Sequence, residues 1–302
     1  MAGPLDGYKI LDLTQVVSGP FATMLLADQG ADVIKVEPVS GLGDITRLPS
    51  FDKGGIGAFY MNNNRGKQSI SLDLSQDAGR EVIKRLIQET DVFVQNFRPG
   101  AIERLGLGYE DLVAINPNLI YISISGFGPT GPYSGRPVLD PVIQGVCGVI
   151  SRQLNPQIPF PDLIRNLFAD KSTALTVAQA TTAALLARER TGDGQFVEIP
   201  MVDACMYFFW PDAMMDLTMV DEDANGGILL STVYNLTECS DGKIVYFAAS
   251  DGQRAGVCAA VGHPEWAEDE RFSSMAALAA NPQNFVILGE MLADAFLLMT
   301  CD

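Results

Sequence analysis

The chain has 302 residues, of which 47% are hydrophobic and 19% charged, too apolar for general disorder and long enough for one large domain or two. Its formal net charge of −17 makes nucleic acid and anionic membrane surfaces poor partners. The charge is uneven: residues 1–190 carry 17 basic and 19 acidic side chains, residues 191–302 only 3 and 18, so an anionic ligand belongs with the first two thirds and the acidic last third reads as solvated surface.

Residues 8–13 (YKILDL) read as a strand, and 19–29 as a helix ended by Gly30. Residues 32–36 (DVIKV) and 69–74 (SISLDL) are further strands, and 75–89 is an amphipathic helix with Ser75 as its expected N-cap. Residues 91–95 (DVFVQ) and 119–125 (LIYISIS) are buried strands, with a short helix at 109–115 stopped by Asn116-Pro117. Strands alternating with helices predict an α/β fold: a doubly wound, mostly parallel, Rossmann-like sheet. Ligands of such sheets sit at the carboxyl ends of the strands, here 14–20, 37–43, 96–100 and 126–136.

The rhythm stops at Arg136-Pro137. Residues 140–150 are expected to be helical, 153–166 are broken by proline, and 171–190 form the longest clean helix. A strand at 196–199 and a helix at 201–215 follow. Residues 221–227 form a candidate linker, and 233–237 with 243–248 a hairpin around Asp241-Gly242. A large domain over 1–220 and a small α+β domain over 228–302 are expected.

No apolar run approaches the roughly 18 residues of a membrane span. The first residues lack a secretory pattern, and five cysteines without CxxC spacing read as reduced thiols in the cytoplasm. One histidine, His263, argues against a metal site and a Ser-His-Asp triad. Residues 126–131 (GFGPTG) match GxGxxG, but Pro129, Pro132 and Pro137 oppose the helix that a dinucleotide fingerprint needs. No nucleotide redox cofactor is expected. Asp170 precedes the long helix and has two readings: an N-cap, or a carboxylate kept ionised by the helix dipole and able to attack an activated acyl group. Lys35, Arg47, Arg65, Lys67, Arg98, Arg104 and Arg136 fall near strand ends, where several converging would hold phosphates.

Six segments together resemble the class III CoA-transferases, the CaiB/BaiF or formyl-CoA transferase family, to which 2-methylacyl-CoA racemase is related. They are 4–20, 25–38, 63–74 (NNRGKQSISLDL), 91–112, 116–148 and 184–204. The resemblance implies a catalytic aspartate at Asp170 and a thioester- and pantetheine-facing stretch at Gln15, Val16, Val17 and Ser18. It implies CoA contacts at Leu72, Asn96, Phe97 and Arg104, the last near the phosphates, and an acidic residue near the catalytic one at Asp140; Arg136, from the strand-end cations, and Asp140 are counted with the candidate CoA-binding residues. It further implies acyl-CoA and a carboxylic acid as substrates, and an intertwined homodimer. The sequence departs from the family at Pro38 and Ser75, where some members carry Arg and Lys, and at 248–252 (AASDG), where formyl-CoA transferase has glycines. Leu139 stands where racemases carry histidine, which disfavours an isomerase, since racemisation needs two acid–base groups. A catalytically silent CoA-binding homologue is the other alternative. Members of the family are usually longer, so a returning C-terminal segment beyond Asp302 is expected to be missing.

Overall fold

The computed structural model describes residues 3–48, 51–153, 161–220, 230–234 and 236–301. The expected linker at 221–227, and 154–160 of the proline-broken stretch, lie outside them. The chain divides into two compact units, Met1–Ile150 with Leu163–Phe209, and Ser151–Asp162 with Trp210–Asp302.

The first unit is built on six parallel strands: β1 (Lys9–Asp12), β2 (Asp32–Pro38), β3 (Gln68–Leu72), β4 (Val92–Gln95), β5 (Ile120–Ser125) and β6 (Gln195–Pro200). Their order across the sheet is β3-β2-β1-β4-β5-β6, the doubly wound arrangement, with its switch point between β1 and β4. Register follows from burial on both faces: Leu11 pairs with Ile34 on one side and Phe93 on the other. Five helices concern the site: α1 (Ser18–Asp28), α2 (Asp77–Ile87), α3 (Asp140–Val146), α4 (Phe168–Thr191) and α5 (Met201–Ala213). α2 buries Ile83 and Ile87 beside Leu11, Phe93 and Tyr121, each worth roughly 1.5–3 kcal/mol when fully removed from water.

Local departures have physical causes. Ser75 does not cap α2, which starts two residues later behind Gln76; its hydroxyl and N–H both donate to Asp73 instead. The expected helix over 140–150 breaks in two, Asp140–Val146 and Val149–Arg152. Gly148, between them, is left-handed at φ 89°. α4 begins at Phe168, so Asp170 is its third residue rather than its N-cap. Gly192, at φ 83°, ends the helix as expected. Residues 126–131 form turns, with Gly128 and Gly131 at positive φ, and the next helix begins only at Asp140.

In the second unit β7 (Thr237–Glu238) and β8 (Lys243–Ile244) form an antiparallel ribbon shorter than the expected hairpin. α6 (Asp251–Ala260) and α7 (Gln283–Phe296) enclose a separate core of Cys258, Phe272, Leu288, Leu292 and Phe296. Among the described residues no helix is long and apolar enough to cross a membrane.

Candidate active site

A pocket of about 420 Å³ opens at the carboxyl ends of β1, β4 and β5, where the sheet reverses its winding. Its lining brings together Gln15, Val16, Ser18, Asn96, Phe97, Arg136 and Asp170. Arg98, Ser125, Ser134 and Met201 join them. Val17, Leu72, Arg104 and Asp140 are not part of that lining. Val17 is buried and Leu72 packs against the sheet's hydrophobic core. Arg104 is exposed at the end of a short helix, Ala101–Arg104, whose Ile102 is buried.

The loop after β1 is held in a costly shape. Val16 has φ 71°, a left-handed conformation that a β-branched residue avoids at a cost of about 1–3 kcal/mol. Its neighbours impose it. Asn96 accepts from the Gln15 N–H at 3.0 Å and donates to the Gln15 carbonyl at 2.8 Å. The Val16 N–H donates to the Asp44 carboxylate at 3.3 Å. Asp44 pairs with Lys35 at 3.0 Å, both side chains wholly buried. Lys35 in turn donates to the Thr14 carbonyl at 2.8 Å. Gly19 lets α1 begin against this loop, because a Cβ there would stand 2.2 Å from Thr14.

Below the loop the charges interlock. Asp12 accepts from Thr23 at 2.6 Å and from Lys67 at 2.9 Å. Burial opposes the charge of Asp12, but Lys67 and Lys35 outweigh it and hold the carboxyl well below its ordinary range. Burial also pulls Lys67 down to about 8. Glu37 takes Arg47 bidentately at 2.7 Å, and Tyr60 and Ser69 donate to it as well. Against the cost of burial, these bonds bring Glu37 to about 2. Four of the seven cations that sequence places near strand ends are therefore consumed by carboxylates, since Arg65 pairs with Asp28. Among the described residues, Arg98, Arg104 and Arg136 make no ion pair. Arg136 stacks 4.3 Å over the Tyr133 ring.

Asp170 is 8% exposed. Its backbone N–H donates to Asp140 at 2.9 Å, and its carboxylate accepts from the backbone N–H of Ser18, the first residue of α1. Burial and the nearby Asp140 raise its pKa from 3.8 to about 7, against the Ser18 N–H. The expectation that the helix terminus simply keeps Asp170 ionised is corrected: desolvation and a second carboxylate outweigh the Ser18 N–H that favours its charge. Asp140 is fixed by Gln144, whose amide donates to it at 2.6 Å and also reaches the carbonyls of Ile164 and Asn166. Gln144 accepts the Ile164 N–H at 2.9 Å, so one buried amide ties α3 to the segment leading into α4. Nothing in the spacing of the sequence marks Gln144, Asp44 or Lys35 as supports of this site.

The sign of the Asp170 shift sets a stability test. Between about pH 4 and 7 the folded state holds a proton that the unfolded state has released, so stability falls as pH rises through that window. Asp170→Asn is expected to be the more stable protein at pH 8, by up to about 4 kcal/mol, with the gap closing toward pH 4. Thermal melts of both proteins at pH 4.5 and 8 check this. A gap that does not change with pH would contradict the burial argument.

The family model for CoA-transferase family III matches residues 5–297. An acetyl-CoA:oxalate CoA-transferase of Acetobacter aceti is 35% identical over 272 residues, covering 89% of this chain and 70% of that protein. A succinyl-CoA:mesaconate CoA-transferase of Haloarcula hispanica is 38% identical over 284 residues, covering 88% and 69%. The crystal structure of a CaiB/BaiF family protein from Brucella suis superposes with a TM-score of 0.81 at 36% identity, covering 99% of this chain and 80% of that one.

Proposed function

Because the chain belongs to CoA-transferase family III, we propose that it moves CoA from an acyl-CoA to a carboxylic acid through covalent intermediates on Asp170. The observation that carries this reading is a buried carboxylate poised near neutrality, facing the pocket at the switch point of the sheet. A carboxylate with a pKa of about 7 is ionised in half the molecules at neutral pH, and desolvation leaves it reactive. Ser18 at the start of α1 orients it, and Asp140 fixes the backbone beneath it.

The steps conserve one activated acyl bond throughout. An Asp170 oxygen attacks the thioester carbonyl, the C–S bond breaks, and CoA leaves as thiolate from a mixed anhydride. The thiolate attacks the aspartyl carbonyl, releases the donor as carboxylate and forms an aspartyl–CoA thioester. The acceptor carboxylate attacks that carbonyl and displaces the thiolate, giving a second anhydride. The thiolate then attacks the new acyl carbon, and Asp170 is freed as carboxylate. No ATP is consumed, because each bond broken is replaced by one of similar energy.

Stabilising the developing oxyanions calls for a donor that is not already engaged. The N–H groups of Gln15, Val16 and Ser18 are committed to Asn96, Asp44 and Asp170. We assign the task to the side-chain amide of Gln15, a residue of the pocket lining. One such donor typically contributes about 3 kcal/mol to the barrier. Asn96 and Phe97 border the pantetheine arm in this reading, while Arg136 and Arg98 place positive charge for the phosphates of CoA. Arg136→Ala is expected to raise the KM for the CoA ester about tenfold with kcat nearly unchanged, the sign of an interaction equal in ground and transition states. Steady-state kinetics with one ester checks it.

The proposal includes a homodimer, measurable by sedimentation, and a cytoplasmic location. Hydroxylamine tests the chemistry. Incubation with acyl-CoA and hydroxylamine should convert Asp170 to a hydroxamate visible in its peptide mass. Unmodified Asp170 in protein that turns over at full rate would refute the covalent route.

A further inference from the structure

Two thiols unrelated to the transfer chemistry meet inside the first unit. Cys147 caps the end of α3, and Cys205 lies one turn into α5. Both are buried, and their sulfurs stand 3.2 Å apart. Cys147 Sγ also donates to the Gln144 carbonyl at 3.8 Å, and Ser172, whose hydroxyl donates to the Ala169 carbonyl at 3.0 Å, adjoins Cys205. Contact between the sulfurs is closer than packing alone requires, and one thiol donates to the other. We propose that Cys147 and Cys205 form an oxidation site that a hydroperoxide converts to a disulfide.

The two sulfurs play different roles. Cys205 and the N–H of Val149 both lie against Cys147 and lower its thiol pKa, against the cost of burial. Cys205 retains its proton, because giving it up beside Cys147 is unfavourable. In this proposal Cys147, the sulfur whose charge its neighbours favour, attacks, and Cys205 resolves. The Cys147 sulfur attacks one oxygen of the peroxide; an S–O bond forms, the O–O bond breaks, and hydroxide leaves and is protonated. The Cys205 sulfur then attacks Cys147; the S–S bond forms, the S–O bond breaks, and the Cys205 proton leaves with the departing oxygen as water. For hydrogen peroxide, two thiols and one peroxide give one disulfide and two waters, with both sulfurs oxidised and the peroxide reduced. A sulfur–sulfur bond is about 2.04 Å long, so the closure needed is about 1.2 Å. The cross-link would join the end of α3, which carries Asp140 and Gln144, to α5, which carries Met201 of the pocket wall.

The site is tested on the reduced protein with hydrogen peroxide as the probe. After treatment the protein is unfolded, alkylated with iodoacetamide and mapped by peptide mass. The expected result is a Cys147–Cys205 linked peptide that dithiothreitol reverses, formed on the order of tenfold faster than oxidation at Cys258, whose thiol burial pushes up. In Cys205→Ser, dimedone should label Cys147 as a trapped sulfenic acid. The proposal is overturned if both cysteines remain alkylatable, or if they pass to sulfonic acids with no cross-link. The outcome is independent of the Asp170 chemistry, since the readout is a mass and not a turnover.

Discussion

Replacing Asp170 with alanine is expected to slow CoA transfer by a factor on the order of 10⁴ or more. In the proposed route every acyl transfer passes through this carboxylate, so its loss removes the path and not merely a stabilising contact. The variant should fold. The bond to Asp140 is made by the Asp170 backbone N–H and survives the substitution, while a buried carboxylate close to Asp140 is removed. A circular dichroism spectrum identical to the parent, retained binding of the CoA ester and absent transfer, read by mass spectrometry of the esters, is the expected combination. A variant that exchanges CoA at the parental rate would end the covalent reading. In the wild type the same carboxylate predicts that kcat/KM rises with pH and levels off above about 7, the ionisation point of Asp170 in the free enzyme.

The second large effect is expected at Lys35. Lys35→Met should lower stability by about 3–5 kcal/mol, because it leaves the Asp44 carboxylate buried without its cation. Urea unfolding followed by fluorescence measures the loss. Activity should fall as well, on the order of 100-fold, because Asp44 is the acceptor that holds Val16 in its left-handed conformation. A relaxed loop withdraws the Ser18 N–H from Asp170, and a shift of about 1 Å is enough for that cost. The double variant Lys35→Met with Asp44→Leu separates the two roles. With no uncompensated charge it should recover most of the stability, yet it has no acceptor for Val16 and should remain slow. Full activity in the double variant would show that the ion pair serves stability alone.

The sheet was legible in the sequence because parallel strands buried on both faces are written as short apolar runs. VFVQ and IYISIS have no other economical reading, and their carboxyl ends pointed to the loops that line the pocket. The ionic interior was not legible. Lys35 and Lys67 look like any cations beside a strand end, and only the fold reveals that Asp44 and Asp12 meet them in the interior. Spacing also could not expose the Val16 conformation, since valine is the wrong residue for positive φ and is held there by partners 28 and 80 residues away in sequence, through Asp44 and through Asn96 on its neighbour Gln15. Resemblance and the helix start single out Asp170 as a candidate, but the sequence places that start a few residues late, which makes a cap of an interior position of the first turn. Its raised pKa follows from burial and from Asp140, which no local pattern encodes.

The loop after β1 owes its shape to Asp44 and Asn96, and Asp170 arrives from a helix that starts at residue 168. No contiguous stretch contains the working set. Each parallel neighbour must be reached by a crossover, so the chain bears the entropy of closing long loops before any of these contacts can form. Such topologies have high contact order and fold slowly. The reactive geometry must therefore emerge late, after the central strands have docked, and an N-terminal fragment that ends before α4 would have a partial sheet without chemistry.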